Sequence, residues 1–136
     1  MKRLAIVLAA ILAVVLLVPL APATADRGHD ESQGHDQKRF SALIFSKTAA
    51  FRHTECIPQA TVELAQMAAQ RGFDVHATEN ADAFTDENLA DYDVVIFLCT
   101  TGDVLNADQQ AAFERYIRAG GGYAGIHSAS DTEYDW

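Results

Sequence analysis

The sequence predicts an α/β fold of three layers, with a mostly parallel sheet between helices. Short apolar runs of strand type alternate along the chain with segments of helical spacing. Residues 93–98 are apolar on both faces, as expected for a central strand of a parallel sheet. Alternation of this kind implies right-handed crossovers, which place helices on both faces of the sheet.

The first half of the predicted domain supplies two strands and a helix between them. Residues 40–45 form a short apolar run typical of a strand. After a polar loop, the apolar residues follow helical spacing, with Pro58 in the first turn and Gly72 ending the helix. Residues 73–77 then alternate in the way that favours a second strand.

The second half repeats the alternation. Residues 85–89 are typical of a single capped helical turn, and the apolar third strand follows them. Asn106 and Gln109 have the spacing of a capping box, which predicts that a helix begins there and continues to Gly120. Residues 123–126 form the fourth strand, so the order is strand, helix, strand, turn, strand, helix, strand.

The first 25 residues are predicted to be a signal peptide. Lys2 and Arg3 precede an apolar run over residues 4–20, and Ala23-Thr24-Ala25 fits the small-x-small cleavage pattern. The alternative is a membrane anchor, because the apolar run approaches spanning length. Cleavage would leave no stable membrane span and would give a secreted or extracytoplasmic protein.

The remaining chain divides into a spacer and one domain. Residues 26–39 have almost no apolar side chain and predict a disordered spacer. Residues 40–136 are long enough for one small core. The chain stops at Trp136, which carries much apolar surface, and we expect the domain and its sheet to be truncated at the C-terminus.

The charge balance restricts the classes of partner. The chain has 19 Asp and Glu against 10 Lys and Arg, for a formal net charge of −9. An acidic chain without a basic patch is a poor candidate for binding nucleic acid or anionic lipid. The same charge suits a neutral or cationic partner, and equally suits solubility alone.

The two cysteines leave two interpretations open. Cys56 is expected after the first strand and Cys99 at the end of the third, which are neighbouring positions in the predicted sheet. Export permits a disulfide between them. Two buried free thiols would fit the sequence as well, and two cysteines do not make a zinc module.

The turn after the fourth strand is the strongest chemical signal. Several α/β hydrolases hold a nucleophile above the sheet in a Gly-x-nucleophile-x-small turn, and residues 125–129 have that form. His127 stands at the nucleophile position. Imidazole there can act as a general base, a metal ligand or a hydrogen-bonding group, and the alternative is a structural histidine at a strand end.

Three strand ends carry polar clusters that the fold should bring to one edge. His53, His127 and Asp131 are the candidate catalytic centre, and the two histidines are candidate ligands of a divalent metal such as zinc or iron. The candidate ligand-binding residues are Arg52, Thr101, Asp103 and Ser128.

Each of these ligand-binding candidates also has a structural alternative. Arg52 suits a substrate carboxylate or an internal ion pair, for instance with Asp103. Thr101 and Asp103 precede the helix that begins near Asn106, where they could bind polar groups of a ligand or cap the loop. Ser128 is a poor nucleophile candidate, because no base and acid partners follow in an obvious order.

The same segments are similar to blocks of a known family. Residues 45–53, 100–106, 109–114, 120–131 and 132–136 resemble, in order, those of the ThuA-like, trehalose-utilisation family. The resemblance covers the front portion of that family's domain. It implies a sheet like that of flavodoxin and the class I glutamine amidotransferases, with His127 where an amidotransferase has its nucleophilic cysteine.

The resemblance also implies a carbohydrate context. We expect an exported domain that binds or processes a small saccharide, trehalose or a related glycoside, with any catalysis being hydrolysis or another acid–base step. The alternative is a non-catalytic binding module in a larger secreted protein, associated with or fused to sugar-oxidising or carbohydrate-binding domains. A cysteine-dependent glutamine amidotransferase is disfavoured, because the turn lacks cysteine.

Overall fold

The structure, a computed structural model, describes residues 39–136. The predicted signal peptide and residues 26–38 of the predicted spacer lie outside the described residues. Arg39, the last residue of that spacer, forms an ion pair with Asp74 at 3.2 Å. Within residues 39–136, none of the helices has both the length and the apolar character needed to cross a membrane.

Four parallel strands form a single sheet. They are β1 (Ser41–Phe45), β2 (Asp74–Thr78), β3 (Val94–Leu98) and β4 (Gly122–Ile126). Their spatial order is β2-β1-β3-β4, with every neighbouring pair parallel. This is the strand order of a flavodoxin-like sheet, which confirms the predicted fold class.

Helices cover both faces of the sheet. They are α1 (Cys56–Arg71), α2 (Asp86–Leu89) and α3 (Ala107–Arg118), with single 3₁₀ turns at Ala81–Ala83 and His127–Ser130. The side chains of α1 pack into one apolar cluster, and those of α2 and α3 pack into another. The predicted three-layer arrangement is therefore confirmed.

The apolar run of β3 is explained by burial on both faces. Val95 and Phe97 pack in the cluster that contains Phe113 of α3. Leu98 packs in the opposite cluster with Ile57 of α1. Successive strand residues point to opposite faces, so a strand with helices above and below must be apolar throughout.

The helix boundaries follow from local chemistry. Gly72 adopts a left-handed φ of 76° after α1, and its N–H donates to the carbonyl of Ala68 at 2.8 Å. Asn106 and Gln109 form the predicted capping box, with bonds of 3.0 and 2.9 Å. The turn at Ala81–Ala83 was not predicted, because three residues carry no periodic signal.

Candidate functional site

The carboxyl ends of β1, β3 and β4 bring three polar segments to one edge of the sheet. The segments are residues 46–53, 99–103 and 127–131. The N–H of Ala49 donates to the carbonyl of Thr101 at 2.7 Å, joining the first segment to the second. The N–H of Gly102 donates to the carbonyl of Asp131 at 2.8 Å, joining the second to the third. Ligands of open α/β sheets bind at this edge.

The turn after β4 has the backbone of an elbow. His127 has a φ of 57°, the left-handed region that a residue with a side chain rarely adopts, and its side chain is exposed. A Cβ on Gly125 would lie 3.2 Å from the Cβ of Ala129 and 3.1 Å from the hydroxyl of Tyr123. The small residues on either side of His127 therefore permit the sharp bend that presents the imidazole.

The imidazole of His127 lies against that of His53. The two ring centroids are 4.4 Å apart, with planes inclined at 57°. His53 also contacts the ring of Phe51, edge to face, with centroids 4.9 Å apart. The loop after β1 thus delivers one half-buried imidazole to the exposed imidazole of the elbow turn.

Asp131 does not join this pair of histidines. Its carboxylate accepts a hydrogen bond from the hydroxyl of Tyr134 at 2.8 Å, and this bond raises the pKa of Tyr134 above its usual value. In the part of the chain that the structure describes, Asp131 makes no hydrogen bond to either imidazole. No group of three His, Cys, Asp or Glu residues among residues 39–136 is placed to hold a metal ion together.

Arg52 is engaged by a carboxylate that the sequence did not single out. Its guanidinium donates to both oxygens of Glu79, at 3.0 and 2.7 Å, and the bond to Glu79 raises the pKa of Arg52 further. Glu79 follows β2, the neighbour of β1. The alternative partner, Asp103, instead accepts the backbone N–H of Tyr134 at 3.0 Å, so the pairing of Arg52 with Asp103 is wrong.

Two other predicted ligand-binding residues turn their hydroxyls inward. Thr101 is 1% exposed, and its hydroxyl donates to the carbonyl of Phe51 at 2.8 Å. The hydroxyl of Ser128 is buried and has no hydrogen-bond partner within the described range. Thr101 therefore fixes the loop that carries His53, and Ser128 retains an unused donor beside His127.

Glu133 is a buried carboxylate that sequence reasoning missed. One oxygen accepts the backbone N–H groups of Val104 and Leu105, each at 2.7 Å, and the other accepts the side-chain amide of Gln110 at 2.5 Å. Glu133 has a φ of 59° and is 9% exposed. The sequence around it gave no signal of burial, because two of its three partners are backbone groups from another loop.

An open cleft of 430 Å³ adjoins His53. Its lining comes from the loop after β1 and the start of α1: Phe51, Arg52, His53, Thr54, Glu55, Cys56 and Gln59. The lining combines aromatic, charged and amide side chains.

The cysteines lie beside this cleft as neighbours, as predicted. Their sulfur atoms are 3.2 Å apart, and both side chains are free thiols. Cys99 is fully buried at the end of β3 and has a φ of 52°. Burial, together with the contact to Cys56, raises the pKa of Cys99 to about 11.

Comparison with known proteins identifies the family of this chain. The sequence profile of the ThuA family, described as trehalose utilisation, matches residues 41–136. The crystal structure of a ThuA-like protein from Bacteroides uniformis ATCC 8492 is similar, with a TM-score of 0.61 and 30% sequence identity. The match covers 71% of this chain and 39% of that one, so the chain spans well under half of that relative. No curated protein sequence matches the chain. The matched profile covers most of the chain and confirms the resemblance, and the chain belongs to the ThuA family.

Proposed function

We propose that this chain is an exported carbohydrate-binding or carbohydrate-processing domain. Its ligand is a small saccharide, trehalose or a related glycoside, held at the carboxyl edge of the sheet. The observation that carries the proposal is the exposed imidazole of His127, which stands on an elbow turn 4.4 Å from the ring of His53. The family's description as trehalose utilisation supports the choice of ligand.

Two adjacent imidazoles are suited to moving a proton near neutral pH. A neutral imidazole accepts a proton from water or from a sugar hydroxyl, and an imidazolium returns one to a leaving oxygen. In the proposal, His53 and His127 share these roles, and the contact between their rings supports it. Such a pair needs no covalent intermediate, which fits a turn that carries histidine instead of cysteine or serine.

The other predicted site residues divide into exposed side chains that can contact a sugar and residues with buried hydroxyls that lie under the site. Arg52, Asp103 and Asp131 are exposed and can donate to or accept from sugar hydroxyls while keeping their present partners. Thr101 and Ser128 act from beneath, because their hydroxyls are buried. A zinc or iron ion at His53 and His127 would need a further ligand from outside residues 39–136.

The test replaces His127, and as a control His76, with asparagine. Asparagine tolerates a left-handed φ, so His127→Asn removes the imidazole and retains the turn. We expect the variant to lose about 3- to 10-fold in affinity for trehalose, measured by calorimetry, because one hydrogen bond is lost. Any release of reducing sugar should fall about 10²- to 10⁴-fold.

His76→Asn is the matched control. His76 is an exposed histidine of β2 whose ring nitrogen bonds the hydroxyl of Tyr92 at 2.9 Å, away from the elbow turn. We expect this variant to bind and turn over sugar as the wild type does. Equal losses in both variants, or none in His127→Asn, would contradict the proposed site.

A non-catalytic binding module is the second candidate. The observation that favours it is Asp131, whose carboxylate bonds Tyr134 and leaves the histidine pair without an acidic partner in the described region. Sugar affinity without turnover, unchanged by chelators, would support it. A glutamine amidotransferase-type hydrolase is disfavoured, because His127 stands at the position of the nucleophilic cysteine; glutamine-dependent release of ammonia would be the result that revives it.

Export is a separate proposal with its own measurement. The predicted signal peptide should be removed after Ala25, so that the secreted chain begins at Asp26. Mass spectrometry of protein recovered outside the cytoplasm tests this directly. A chain that keeps the apolar run and stays with the membrane fraction would favour the anchor instead.

A further inference from the structure

We propose that Cys56 and Cys99 form a thiol–disulfide exchange site, which reacts with small disulfides and closes into a brace beneath the two imidazoles. The observation is the 3.2 Å separation of the two sulfur atoms, against about 2.05 Å in a disulfide. The chain has no third cysteine to compete for either sulfur. The inference does not depend on which ligand the cleft binds.

The two thiols differ in accessibility, and this difference sets the order of events. Cys56 is partly exposed, lies at the first residue of α1 and lines the open cleft beside His53. Cys99 is fully buried, so an external disulfide cannot reach it in the folded protein. Cys56 is therefore the attacking thiol and Cys99 the resolving thiol.

The exchange proceeds in two balanced steps. The sulfur of Cys56 attacks a disulfide such as oxidised glutathione, forming a mixed disulfide and expelling one thiolate. The sulfur of Cys99 then attacks the sulfur of Cys56, which forms the protein disulfide and expels the second thiolate. The expelled thiolates take up the two protons from the cysteines, and two electrons pass to the small disulfide.

A Cys56–Cys99 disulfide would link the segment that carries His53 to the segment that carries His127. Cys56 follows the loop that carries His53, and the N–H of Ile57 donates to the carbonyl of His53 at 3.1 Å. The N–H of Cys99 donates at 3.1 Å to the carbonyl of Ile126, the residue before His127. A covalent link between the two sulfurs therefore restricts how far the imidazoles can separate.

The first experiment counts thiols and masses in the full chain. After equilibration with excess oxidised glutathione, we expect the wild type to lose both free thiols and two hydrogen atoms, with no adduct. Cys99→Ala should retain one glutathione on Cys56, since nothing resolves it. Cys56→Ala should leave Cys99 unreacted because of its burial. A wild type that keeps both thiols, or that keeps a stable adduct, would overturn the proposal.

The second experiment tests the brace without any sugar. Oxidation should raise the melting temperature of the wild type by more than about 5 °C, because the crosslink closes a long loop. It should also slow hydrogen exchange at the amide of Ile57. Cys56→Ala, treated identically, should show neither effect. Unchanged melting and exchange in a wild type shown to be oxidised would refute the brace.

Discussion

Glu133 is the residue through which the chain's last segment holds the loop before α3. Its carboxylate accepts two backbone N–H groups and one side-chain amide, all from residues 104–110. Replacing Glu133 with alanine leaves those buried donors unpaired. We expect Glu133→Ala to lower the free energy of unfolding by about 2–4 kcal/mol, measured by urea denaturation.

The matched control for that substitution is Glu63→Ala. Glu63 is an exposed glutamate on α1. Its removal should change the free energy of unfolding by less than about 0.5 kcal/mol. If the two variants unfolded at the same urea concentration, the bonds to Glu133 would not contribute to stability.

The side chain of Ser128, unlike that of Glu133, is expected to reduce the stability of the fold. Its hydroxyl is buried beside His127 without a partner among residues 39–136. A buried donor without a partner has lost its hydrogen bonds to water and has formed none within the protein, which costs stability. We therefore expect Ser128→Ala to raise the free energy of unfolding by about 1 kcal/mol, measured by urea denaturation. The exposed Ser130, changed to alanine, should have no such effect.

Sugar titrations of the same variant bear on its predicted role. If Ser128 contacts the ligand directly, Ser128→Ala should weaken binding about 3- to 10-fold. A variant that is more stable and binds sugar unchanged would remove Ser128 from the predicted ligand-binding set. This separates a residue that binds ligand from one that only lies under the elbow turn.

At the scale of elements, an exposed ion pair joins α2 to α3. The guanidinium of Arg115 donates to both carboxylate oxygens of Asp86, at 2.8 and 2.9 Å. This hydrogen bonding lowers the pKa of Asp86 below its ordinary value of 3.8. The contribution to stability is therefore fully present above pH 3.8 and is lost as the pH falls through the lower pKa of the folded state.

The Arg115→Gln variant tests that coupling. We expect the carboxyl resonance of Asp86, followed by NMR, to titrate at a higher pH in the variant than in the wild type. The Arg118→Gln variant, which removes a different exposed ion pair, should leave the titration of Asp86 unmoved. Identical Asp86 titrations in Arg115→Gln and the wild type would show that the pair does not persist in solution.

At the scale of the whole molecule, the fold was predictable because its causes are local. Periodicity located the strands and helices, and the caps at Gly72 and Asn106 fixed their ends. The convergence of His53 and His127 followed from a general rule, since parallel strands bring their carboxyl ends to one edge. The order and direction of the strands were enough to predict that these two histidines lie at the same edge of the sheet.

The partners of the charged residues were not predictable in the same way. Glu79 reaches Arg52 only because β2 lies beside β1. Asp131 accepts its hydrogen bond from Tyr134 rather than from either histidine. Glu133 bonds backbone N–H groups, which every residue except proline carries, so no pattern of residue types marks the site. Side-chain pairing depends on small displacements that sequence spacing does not encode.

The charge of the whole chain leads to a final prediction about salt. With a net charge of −9, mutual repulsion opposes the compact state, while the exposed pairs such as Asp86–Arg115 contribute little. Raising the ionic strength from about 0.01 to about 0.15 M shortens the Debye length from about 30 to about 8 Å. Screening should then weaken the long-range repulsion more than the short ion pairs, and we expect the melting temperature to rise by a few degrees. Potassium chloride and sodium chloride should act alike, because the effect is one of ionic strength. A melting temperature that falls over this range would mean that the ion pairs, rather than the net charge, dominate the electrostatic free energy of folding.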